Sequence, residues 1–173
     1  MRNENVRKFT VSSLYLAIAV ILIVGASVIP GFDLTLLAVA SAVGAFTIVE
    51  GGIRYGAVQY AAAAILGFLL APDKSAAILY LIFFGIYPVV KYFAEKPKKP
   101  WVQWAIKCGF CLAVCIVALA AFSELVLGDL TLPEWFPFWG LVPAALALFL
   151  IYDYALTIAV RLYDKRVHSK ETR

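Results

Sequence analysis

At 173 residues, 64% of them hydrophobic and only 15% charged, with a mean hydropathy of +0.90, the chain is far more apolar than a soluble globular domain. It reads as an all-α integral membrane protein: six spans of about 20 residues each, the length a bilayer-crossing helix needs, consume nearly the whole chain and leave no room for a soluble domain. The net charge of +4 sits in loops and tails, where anionic headgroups attract it; nucleic-acid binding explains it poorly.

Residues 1–8 form a basic N-terminus ahead of the first span, Phe9 to Ile29. That segment is too long for the core of a secretory signal, has no small-residue cleavage site before Pro30, and is followed at once by further spans, so it is read as retained. Pro30-Gly31-Phe32-Asp33 makes a turn. The second span, Leu34 to Val49, ends at Glu50-Gly51-Gly52, and the third runs from Tyr55 to Leu70. At about 16 residues each they are near the lower limit for crossing, which predicts little tilt or a partial break.

Ala71-Pro72-Asp73-Lys74-Ser75 turns the chain into the fourth span, Ala76 to Phe93, which leads to the basic segment Lys96-Pro97-Lys98-Lys99-Pro100. The fifth starts near Trp101 or Trp104, aromatic residues suited to the headgroup boundary, and reaches about Leu127. An acidic connection with Glu124, Asp129, Glu134 and Trp135 precedes the sixth, Phe138 to Leu162, and a polar tail over 164–173 is expected to be flexible. Threaded in this order, 9–163 form a six-helix domain that puts fourteen of the fifteen Lys and Arg residues on one side, with Lys74 alone opposite. Positive charge marks cytoplasmic loops, so both termini are predicted to be cytoplasmic. About ten-residue alternation, the mark of a membrane barrel, is absent.

Charges within the bilayer are unfavourable and normally face a bundle interior. Glu50, Lys91, Lys107 and Asp153 occupy such positions, all in the cytoplasmic half, with Asp153 deepest. They suit a structural ion pair with lysines reaching the headgroups, or else a polar relay or lock in which Asp153 pairs with Lys91 or Arg54. Gly85-Ile86-Tyr87-Pro88 predicts a kink or break in the fourth span, because proline lacks a backbone donor and clashes with the preceding turn. Transporters expose backbone groups at such breaks, although proline kinks also occur without that use. Gln59 and Tyr60 offer hydrogen bonds to a neighbouring helix or a ligand.

Cys108, Cys111 and Cys115 share one helical face, but a soft-metal site needs a fourth ligand, and the single histidine, His168, lies in the tail. They are read as packing residues, with no metal or cofactor. No Ser-His-Asp set, His-Glu-x-x-His pattern or phosphate-binding Gly-rich loop is present, so an enzyme is not expected; a lipid-modifying membrane enzyme is a minor alternative. Ser13 and Ala17 place small residues one turn apart on the first span, a pattern that lets helices approach closely.

The six short spans, the basic N-terminus entering a small-residue first helix, and the stretches Asp33-Leu34-Thr35-Leu36-Leu37, Val49-Glu50-Gly51-Gly52-Ile53-Arg54-Tyr55 and Leu79 to Lys91 resemble the substrate-capture (S) component of energy-coupling-factor transporters. They are also similar to uncharacterised small bacterial membrane proteins grouped loosely with those components. The resemblance implies a solute-binding subunit of a bacterial cell membrane, with a transmembrane coupling subunit and paired ATPases as partners and Ser13 and Ala17 on the coupling surface. Two departures are visible. The first exterior turn is short where many such components carry a lid, and the first helix has one small pair where an extended alanine face is usual. A small, uncharged or cationic solute is expected at the exterior end, met by Glu124, Asp129 and Glu134 with Trp135 and Trp139 for stacking. The alternative is a non-transporting scaffold or assembly factor whose basic segment and tail contact lipid or a cytoplasmic partner.

Overall fold

The computed structural model describes residues 2–97, 99–121 and 141–171. Regular structure among them is entirely helical: α1 (Arg2–Val28), α2 (Asp33–Gly51), α3 (Ile53–Leu70), α4 (Lys74–Leu79), a π-helical turn (Tyr80–Phe84), α5 (Tyr87–Ala94), α6 (Pro100–Ala121) and α7 (Leu141–Glu171). Asn5–Val28, Asp33–Gly51, Ile53–Leu70, Lys74–Ala94 and Ala145–Arg166 are each long and apolar enough to cross a membrane. Helix α6 adds 22 residues, of which Trp101–Val117 is a shorter apolar stretch.

Helices α2 and α3 are uninterrupted at 19 and 18 residues, so of the two expectations for their short apolar runs, little tilt or a partial break, the break is not found. Gly52, at φ +88°, turns the chain between them in a left-handed conformation that an L side chain resists. Helix α7 continues into the polar C-terminal segment as far as Glu171. Lys165, Arg166 and Glu171 are residue types that favour a helix, and they extend α7 beyond its apolar part.

Two compact units make up the chain: Met1–Tyr92 with Leu156–Arg173, and Phe93–Ala155. In the first, α1 packs chiefly on α2 and also on α3 and α4. Small side chains bring these helices close: Ala19, Ala26, Ala40 and Ala63 are buried around Ile23 and Leu37, both fully buried. Gly67 belongs to the same contact, since a Cβ there would lie 2.9 Å from Cγ2 of Ile23. In hydrocarbon, where lipid tails are as apolar as leucine, this close approach is what dispersion forces reward.

The run from α4 to α5 is interrupted, and its backbone groups are accounted for. Gly85 N bonds to Tyr80 O at 2.7 Å in the π-helical turn, which leaves Leu81 O without its usual α-helical donor. The Tyr60 hydroxyl supplies one, 2.8 Å away. Gly85 makes room for that tyrosine, because a Cβ would come within 2.7 Å of both Tyr60 Cδ2 and Tyr80 Cε1. Pro88 then falls in the first turn of α5, where its missing N–H has no intrahelical acceptor to serve.

Candidate functional site

Helices α1 and α3 leave between them a groove of about 490 Å³. Its apolar wall is Phe9 and Leu16 from α1 and Val58 and Ala62 from α3; Ser12, Ser13, Arg54, Tyr55 and Gln59 supply its polar groups. Arg54 and Ser13 are exposed at the rim. Gln59 is only 3% exposed, and neither its Nε2 nor its Oε1 has a hydrogen-bond partner among the described residues. A buried amide left in this state costs about 1–3 kcal/mol, so the site asks for a group that both accepts and donates.

The two helices orient these side chains by simple periodicity. Phe9, Ser12, Ser13 and Leu16 follow the three-and-four spacing of one helical face, as do Tyr55, Val58, Gln59 and Ala62. Ser13 Oγ donates to Phe9 O at 3.0 Å and keeps its lone pairs available. Arg7 and Lys8 lie just before Ser12 on α1, and neither they nor Arg54 have a carboxylate partner among the described residues. One end of the groove is therefore positive, and the remaining wall mixes apolar side chains with the uncharged polar groups of Ser12, Ser13, Tyr55 and Gln59.

In the same unit, a hydroxyl chain ties three helices. Tyr163 donates to the Glu50 carboxylate, and the Tyr15 and Tyr163 oxygens are 2.6 Å apart. With the Tyr163 proton committed to Glu50, Tyr15 must be the donor to Tyr163. Phe46 stacks on the Tyr163 ring at 4.4 Å. Glu50 thus reaches a tyrosine on α7. Lys91, also in this unit, is 5% exposed and donates to Thr157 Oγ1 at 2.7 Å.

In the second unit Lys107 Nζ lies 2.7 Å from Asp153 Oδ2 and 3.4 Å from Glu95 Oε1. Lys107 and Asp153 are 8% and 5% exposed. Within its unit Asp153 therefore has Lys107 as its cation, a pairing that the sequence reading did not select. Cys111 on the same helix is buried, with Cys108 and Cys115 half-buried and all three thiols free.

Among the residues singled out from sequence, Ser13, Arg54 and Gln59 come together at the groove, and Ala17 is exposed one turn further along α1. Tyr87 and Pro88 open α5 and are both buried. Glu124, Asp129, Glu134, Trp135 and Trp139 lie outside the described residues. Sequence reasoning missed Ser12 and Tyr55 at the groove, and the partners Tyr15, Tyr163 and Thr157. A tyrosine near a span end carries only the weak signal of an interfacial aromatic, and nothing in the chain ties positions 15 and 163 together. Comparison with known protein families, with curated proteins and with solved structures yields no match.

Proposed function

We propose that this chain is a membrane-embedded solute-capture subunit of S-component type, crossing a bacterial cell membrane six times with both termini in the cytoplasm. It takes a small molecule from the exterior side and works with a separate ATP-driven coupling module. The observation that carries this reading is the exposed face of α1, where Ala17 points outward and Ser13 is exposed at the rim of the groove. A span that must only pack within its own chain has no need to leave its small residues outward, whereas a second transmembrane protein gains close approach from them.

The charge distribution supports the orientation. Fourteen of fifteen basic residues fall on the side of the termini. The exception, Lys74, has a local role. Its ammonium donates to Phe68 O and Ala71 O, each at 2.8 Å, and closes the C-terminal end of α3.

Affinity purification in mild detergent tests the reading. A transmembrane coupling subunit and ATPases are expected to accompany the full chain, and Ala17→Leu, which puts a large side chain on the exposed face, is expected to release them. A different stable partner, or an association that Ala17→Leu leaves intact, would favour the scaffold reading.

A further inference from the structure

We propose that the groove between α1 and α3 is a binding site for an anionic phospholipid of the inner leaflet, with the phosphate at Arg54 and the glycerol-ester region against Gln59. Three observations converge on this occupant. The first is Gln59 itself, a buried amide without a partner among the described residues, on the wall of an open groove. An ester carbonyl of the lipid's inner glycerol accepts from its Nε2.

The second is charge. Arg54 stands at the rim, with Arg7 and Lys8 just beyond Ser12, and basic pockets between helices on the cytoplasmic side favour anionic headgroups. The third is depth. Arg54 and Gln59 are five residues apart on α3, about 7.5 Å along the axis at 1.5 Å per residue, comparable with the step from a phosphate down to the ester layer. Beyond Gln59, Leu16 and Ala62 continue the groove as an apolar track for an acyl chain. A transmembrane helix of a partner would match the apolar wall but would leave the cationic end unanswered.

Only the placing of Arg54 at the inner leaflet rests on the proposed orientation. Lipid retention is read on the isolated chain, so it does not depend on a coupling module, and the orientation has its own test by thiol labelling at residue 165.

The experiment uses the full chain in nanodiscs of phosphatidylcholine containing phosphatidylglycerol, followed by native mass spectrometry. The wild-type chain should retain phosphatidylglycerol. Arg54→Gln and Gln59→Leu should each reduce retention about tenfold, the order of one hydrogen bond, while Lys165→Gln, outside the groove lining, should leave it unchanged. Free glycerol phosphate, which has the headgroup chemistry without acyl chains, should not displace the lipid. Thermal unfolding of the variants in phosphatidylcholine alone should match or exceed that of the wild type, so that lost retention reports lost binding. Equal retention by the wild type and Arg54→Gln, or displacement by glycerol phosphate, would overturn the proposal.

Discussion

Gln59 and Tyr60 are neighbours on α3 with opposite circumstances. Tyr60 has a clear structural use: its hydroxyl satisfies the Leu81 carbonyl that the π-helical turn releases. Removing that hydroxyl with Tyr60→Phe should cost about 1–3 kcal/mol, because an acceptor is left unsatisfied within an apolar span. Gly85→Ala should cost a similar amount, about 1–3 kcal/mol, by pushing a methyl into the Tyr60 and Tyr80 rings. A double-mutant cycle read by thermal unfolding in detergent should show the two changes to be coupled; additive effects would separate the glycine from the tyrosine. Gln59 is the reverse case. In lipid-free detergent Gln59→Leu should stabilise the chain, because it removes a buried amide with no partner among the described residues. A clear loss of stability would show that the amide has a structural role within the chain.

The helices were legible from composition because a bilayer imposes length and apolarity on every span. Sequence reading fell short where long-range pairing decides. Lys107 and Asp153 were both marked as costly charges, yet no local pattern chooses between Lys91, Lys107 and Arg54 as the partner. Within the second unit, Lys107 on α6 lies 2.7 Å from Asp153 on α7. Breaking this buried pair with Lys107→Met should destabilise by about 3–5 kcal/mol, while the double change Lys107→Met with Asp153→Leu should recover much of the loss, since a buried carboxylate that loses this ammonium is costlier than an apolar pair. Denaturation of the wild type and both variants side by side measures this, and a double variant no better than the single would contradict it. The start of α4 gives a pH-dependent counterpart. Asp73 caps that helix, and the Ser75 hydroxyl followed by the Ser75 backbone N–H hold its carboxyl below the usual aspartate range. A lowered folded value means that the cap contributes at pH above the ordinary aspartate pKa and is lost as pH falls through the lowered one. The group is largely exposed, so the contribution to global stability is small. Ser75→Ala should move the Asp73 titration upward toward the ordinary value, measurable by carboxyl NMR shifts; an unmoved titration would remove the cap as its cause.

At the scale of the whole molecule, positive charge is the organising feature. In the proposed orientation it directs the six crossings and leaves Lys74 as the one basic residue on the far side; Arg54 supplies a cation to the α1–α3 groove, and Lys74 serves the end of α3. The groove itself was only partly legible: Ser13, Arg54 and Gln59 were marked for separate reasons, on spans whose adjacency no local pattern encodes. The tyrosine chain from Tyr15 through Tyr163 to Glu50 joins α1, α2 and α7 across 148 residues of sequence, and was beyond reach for the same reason. The most direct test of the orientation is labelling of single cysteines with a membrane-impermeant thiol reagent in intact cells, with Cys108, Cys111 and Cys115 replaced by alanine. Ser75→Cys is predicted to label from outside and Lys165→Cys only after the membrane is permeabilised; labelling of Lys165→Cys in intact cells would contradict the orientation.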